Sequence, residues 1–198
     1  MYWVNKGSRQ ILEADACGIG FVASRKGVAD REVVAQGLEL CKRFDHRGAP
    51  GHGAGVQVDI PWPLLLDRFP EHVKDIAQRD VALGMFFLPF DAALRRKCVE
   101  QVEELAALAG VQILQWANVP VNAGALDPYA SAIRTMPIVR QALLKRPDGM
   151  SEEAWFSCRY LLRLAIDDSL GAIAGADFSV VSLSNRTVVY KGLFELSR

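Results

Sequence analysis

The chain has 198 residues, 51% hydrophobic and 23% charged, which fits one sizeable folded domain and excludes a disordered polymer or two full domains. Its 23 Lys and Arg balance 23 Asp and Glu, so it lacks the net positive field with which nucleic-acid binders gather phosphates. The longest apolar run, VALGMFFLPF, is about half of what a membrane-spanning helix requires, so neither nucleic acid nor membrane is expected as a partner.

In chain order, residues 1–16 (MYWVNKGSRQILEADA) end in Ala-x-Ala but lack the continuous apolar stretch of a secretory signal. CGIGFVAS, from Cys17, reads as a strand. DREVVAQGLELCKRF follows as a helix with Asp30 as N-cap and apolar residues at 33, 34, 38, 40, 41 and 44. The stretch DHRGAPGHGAGVQVDIP is a glycine-rich loop that feeds a second strand, GVQVDI.

From residue 80 the pattern becomes β-α-β-β-α-β. VALGMFFLP is a strand, and residues 92–109 form a helix with an apolar row at Leu94, Cys98, Val102, Leu105 and Ala109, stopped by Gly110. VQILQWANV and PIVRQALLK are strands, Ser151 caps a long helix, and FSVVSLS is the last strand of the series. This split βαβ order predicts a four-stranded antiparallel sheet with two helices on one face, a ferredoxin-like insertion over about 80–184. TVVYKG, residues 187–192, returns to the first sheet after the turn at SNR.

Cysteines stand at 17, 41, 98 and 158 with no C-x-x-C pair, which disfavours a disulfide framework or zinc site and points to a reducing cytoplasm. Cys41 and Cys98 fall on apolar helix faces and Cys158 in an apolar-rich helix, all three as packing residues. His46 and His52 lack a third ligand nearby, so no metal is expected. GHGAG opens a strand and precedes no helix N-terminus, unlike a phosphate loop. By itself Cys17 reads either as a core thiol or as a nucleophile, and Arg47 either as a surface ion-pair partner or as a pocket residue.

Two stretches, CGIGF at 17 and FDHRGAPGHGAG at 44, together resemble the class II glutamine amidotransferases. With SLSNRTVVYKG added, the chain is similar, over about residues 13–194, to the N-terminal glutaminase domain of the glutamate synthase large subunit. The resemblance implies an α+β fold, an N-terminal-nucleophile αββα sandwich present in part. It also implies a leader, residues 1–16, whose removal makes Cys17 the first residue of a domain running from 17 to 198. Cys17 would then attack the side-chain amide of glutamine with its own α-amine as base, and Arg47 would shape the pocket. An α-amine titrates at about 7.7–8.0 and a thiol at about 8.5, so a proton passes between them near neutral pH with little driving force. FMN and an iron–sulfur cluster are implied only for the other domains of a full synthase, which would be this chain's partners alongside glutamine. No cofactor is expected in these residues.

The sequence also departs from the family. His52 stands where relatives carry aspartate in Gly-Asp-Gly-Ala-Gly, and the Arg-Phe-Ser/Thr and Asn-Gly-Glu segments that bind glutamine and form the oxyanion hole are not among the 198 residues. The expectation is therefore part of a larger domain, weak or inactive alone, since one oxyanion donor is worth on the order of 10²–10³ in turnover. The alternatives are a truncated or non-catalytic descendant acting as a binding module, or a small regulatory ligand-binding protein.

Overall fold

The computed structural model describes residues 18–43, 53–72, 74, 76–122 and 136–193. Its elements run α1 (Arg31–Arg43), β1 (Gly53–Asp59), α2 (Trp62–Arg68), β2 (Val81–Leu88), α3 (Ala92–Leu108), β3 (Gln112–Asn118), β4 (Ile138–Lys145), α4 (Glu152–Ala174), β5 (Ser179–Ser184) and β6 (Thr187–Leu193).

The helix ends follow their local chemistry. The Asp30 carboxylate accepts from the Glu32 N–H at 2.9 Å, Asp91 from Leu94 at 2.7 Å and Ser151 from Ala154 at 3.2 Å, each supplying one of the orphan donors of a first turn with an acceptor. α3 ends in a Schellman motif. Gly110 adopts φ 73°, its N–H donates to Ala107, and the Val111 N–H reaches back to Ala106.

Four strands form one sheet in the order β3-β4-β2-β5, every neighbour antiparallel. This is the arrangement of two interleaved βαβ units. β2 lies between β4 and β5 and is covered on both faces, which explains why VALGMFFL is apolar without alternation. Ala82, Phe86 and Leu88 face α3 and α4, joining Cys98, Val102, Trp155, Leu162 and Ile166 in one core. The Phe86 ring stands 5.2 Å from Trp116 and 6.4 Å from Phe178. Trp116 in turn donates to Glu103 of α3 and carries the Arg140 guanidinium over its ring.

The opposite face of β2 presents Val81, Leu83 and Met85 to a second core that includes Ile60, Leu65, Phe69 and Val188. There the sheet meets a two-stranded antiparallel ribbon of β1 and β6, paired from Gly53↔Leu193 to Asp59↔Thr187. The chain crosses from sheet to ribbon through the turn at Asn185 and Arg186, where the Ser184 hydroxyl accepts from the Arg186 and Thr187 N–H groups. The segment from β2 to β5 thus enters the chain between β1 and β6, yet its sheet shares a core with them. α1 lies against β1, with the Cys41 Sγ 3.8 Å from the Gly55 carbonyl oxygen.

Two features differ from the sequence reading. α2 was not expected, although Pro63 in its first turn is a legible start signal. Residues 18–24, expected as a strand, make no ladder among the described residues, and Ile19 and Phe21 stand 96% and 91% exposed. Apolar patterning supplies a face, but a strand also needs a neighbour to take its N–H and C=O groups.

Candidate active site

Cys17 and Arg47 both lie outside the described residues, as do His46 and His52. The structure places the chain on either side of them. Gly18 follows Cys17 directly, Arg43 ends α1 four residues before Arg47, and β1 begins at Gly53. The Cys41–Gly55 contact holds the end of α1 beside the start of β1, so residues 44–52 connect two points already close together.

A groove of about 450 Å³ joins the two stretches. Val22, five residues after Cys17, lines it together with Glu32, Gln36, Glu39, Leu40 and Arg43 of α1. Arg43 and Glu39 form an exposed ion pair at 3.9 Å along it. The residues that follow CGIGF and those that precede DHRGA therefore wall one depression. The sequence marks α1 and sets Leu40 on its apolar face but gives the other lining side chains no place, because their proximity to Val22 is a tertiary fact.

The other cysteines are differently placed. Burial pushes the Cys98 thiol up, and burial does the same to Cys158, against the opposing pull of the Arg159 cation. A thiol held protonated inside a core is a poor nucleophile. Cys98 packs between α3 and the sheet, and Cys158 points its sulfur at the Ala109 carbonyl 3.9 Å away. Both serve as packing residues, as expected.

Gly55 shows what the glycines leading into β1 provide. A Cβ there would stand 2.7 Å from Lys191 Cβ and 2.9 Å from the Tyr190 carbonyl oxygen, so only glycine lets β1 and β6 approach as they do. A polar chain centred on one buried side chain, missed in the sequence, holds the ribbon to the sheet. Arg68 of α2 donates to the Gln141 side-chain oxygen, and the Gln141 amide reaches Tyr190 Oη at 3.4 Å. Gln141 is fully buried on β4, and its only sequence signal was a polar residue within the apolar IVRQALLK. Among the described residues no three His, Cys, Asp or Glu side chains gather in a way that would hold a metal ion, and no helix is long and apolar enough to cross a membrane.

The family of class-II glutamine amidotransferases matches residues 17–198, a stretch that begins at Cys17 itself. The chain belongs to this family. Among class-II relatives it is 35% identical over 195 residues to the glutamate synthase [NADPH] large chain of Azospirillum brasilense. It is 35% identical over 190 residues to ferredoxin-dependent glutamate synthase 2 of a Synechocystis strain, and 32% identical over 194 residues to the large chain of Bacillus subtilis. These matches take in 92–93% of this chain and 12% of each relative, so the chain spans about an eighth of the length of these relatives.

Proposed function

We propose that this chain is the glutaminase part of a glutamate synthase. The observation that carries the reading is the class-II family match whose first residue is Cys17. In this proposal residues 1–16 are a leader, and cutting the Ala16–Cys17 bond turns the backbone nitrogen of residue 17 from an amide into an amine able to accept a proton. The amine takes the thiol proton, and the thiolate attacks the side-chain carbonyl carbon of glutamine. A carbon–sulfur bond forms, the carbon–nitrogen bond breaks, and the leaving nitrogen takes the proton from the amine to depart as ammonia. Water then splits the γ-glutamyl thioester, releasing glutamate and regenerating the thiol.

Arg47 is assigned to the pocket around Cys17. The shared wall formed by Val22 and Arg43 supports this, because the segments bearing the two residues leave one groove in opposite directions along the chain. The fold proposed is the N-terminal-nucleophile αββα sandwich. It is present here in part, with about 80–184 as a ferredoxin-like insertion between the strands of the β1–β6 ribbon. FMN and an iron–sulfur cluster are assigned to portions of a longer synthase outside these residues, and a cytoplasmic site of action is proposed with them.

Intact-mass measurement on the protein isolated from cells tests the reading. The expected product has lost residues 1–16, and a diazoketone analogue of glutamine adds once, at residue 17. A protein that keeps Met1–Ala16 and still hydrolyses glutamine, or one labelled equally after Cys17→Ala, overturns the proposal.

A further inference from the structure

We infer that Arg163 and Asp167 of α4 stand in for a neighbouring strand beside β5 and keep a second copy of this chain from adding its own β5 there. Among the described residues β5 ends the four-stranded sheet and is paired with β2 on one side only. Its sequence, SVVSLS, has two β-branched residues and no charge, proline or glycine. Such a composition favours strand addition, and on a sheet edge it is a hazard. The common guards within an edge strand are a lysine, a proline or an inward-pointing charge, and these six residues carry none of them.

The edge is closed from α4 instead. The Val180 N–H donates to Asp167 Oδ1 at 3.3 Å, and Arg163 Nη2 donates to the Val180 carbonyl oxygen, also at 3.3 Å. The N–H and C=O of one strand residue point to the same side, and a neighbouring antiparallel strand would take both. Here one helix supplies the acceptor and the donor. Arg163 Nε lies 3.7 Å from Asp167 Oδ2, which braces the two side chains into a single unit. As an ion pair that unit is worth little, because its members are 44% and 42% exposed and the cation precedes the anion, the weaker order on a helix. Val181 adds a second guard. Met85 faces Ser182 and Phe86 faces Val180, so Val181 is left over as a bulge that breaks the regularity of the edge.

Hydrogen exchange at the Val180 amide and sedimentation velocity, both on the purified chain, are the tests. Asp167→Ala speeds exchange at Val180 about tenfold, whereas Asp167→Asn, which keeps an acceptor oxygen without the charge, stays within about threefold of the parent. Arg163→Ala combined with Asp167→Ala self-associates beyond the parent from micromolar to hundreds of micromolar. Adding Ser179→Lys to that double variant returns it to the parent's behaviour, because like charges then meet across the joined edges. A Val180 amide that exchanges in Asp167→Ala as slowly as in the parent overturns the inference, as does equal acceleration in Asp167→Asn. A double variant that keeps its circular dichroism and associates no more than the parent also overturns it, and so does association that Ser179→Lys leaves unchanged. If the double variant loses its circular dichroism, Asp167→Ala alone carries the association test, and its failure to associate overturns the inference equally.

Discussion

The Gln141 side-chain amide lies 3.4 Å from Tyr190 Oη, a hydrogen bond between β4 of the larger sheet and β6 of the ribbon, and the same amide accepts from Arg68 of α2. One buried side chain thus fixes three elements. Gln141→Leu keeps the approximate volume and leaves both partners without their bond, one of them a guanidinium. We expect a loss of about 1–3 kcal/mol, read as a lower urea midpoint with an unchanged m-value. Tyr190→Phe removes only the outer bond and should cost less, about 0.5–1.5 kcal/mol. An unchanged midpoint for Gln141→Leu would show that the bonds add nothing to an apolar contact.

Gly84 sits on β2 two residues before Phe86, on the same face. A Cβ at this position would stand 2.5 Å from Phe86 Cε2, and the ring has little room to yield between Trp116 and Phe178. Gly84→Ala should destabilise by about 1–3 kcal/mol through overpacking. Adding Phe86→Leu should make the double variant more stable than the two single losses predict together. Strict additivity in chemical denaturation would argue against a direct clash.

The raised thiols of Cys98 and Cys158 set a pH dependence. Unfolded thiols ionise near about pH 8.5, whereas the folded chain keeps these two protonated to higher pH. Below that range both states bind the proton and the full contribution is present. As pH rises through it, the unfolded state releases protons that the folded state retains, and stability falls. The urea midpoint should therefore drop between about pH 8 and pH 10, and Cys98→Ala should reduce the slope. An identical slope in that variant would assign the effect to other groups.

If Arg47 holds substrate, Arg47→Ala should raise the KM for glutamine roughly ten- to a hundredfold, the worth of a hydrogen bond to a charged group. Cys17 should remain reactive toward a small, uncharged alkylating reagent. Equal loss of both properties would assign Arg47 to the architecture around Cys17 instead of to glutamine.

The elements from β2 to β6 were legible because each carries a strong local signal. Ser151 and Gly110 mark ends, the row from Leu94 to Ala109 marks a face, and the apolar VALGMFFLP reads as a strand. The class-II match begins at residue 17, where the motif CGIGF starts. The contacts between elements were not legible. Val22 and Arg43 are 21 positions apart and line one groove, which no local pattern announces. Gln141 looked like an interruption in a strand, since nothing near it in sequence announces Arg68 or Tyr190. Local chemistry specifies elements and their ends, whereas a site assembled from several elements depends on how they pack.

The pairing of Gly53 with Leu193 also bears on the order in which the protein is made. During synthesis β1 finds its partner only after β2 to β5 have all been made, whereas β2 to β5 have their neighbours sooner. Closing so long a loop is slow relative to local pairing. The ribbon should thus be the last part to lock. Pulsed hydrogen exchange during refolding should protect the amides of β2 and β4 before those of β1 and β6. A chain assembled in that sequence would rest its last-formed pair of strands on a scaffold already in place.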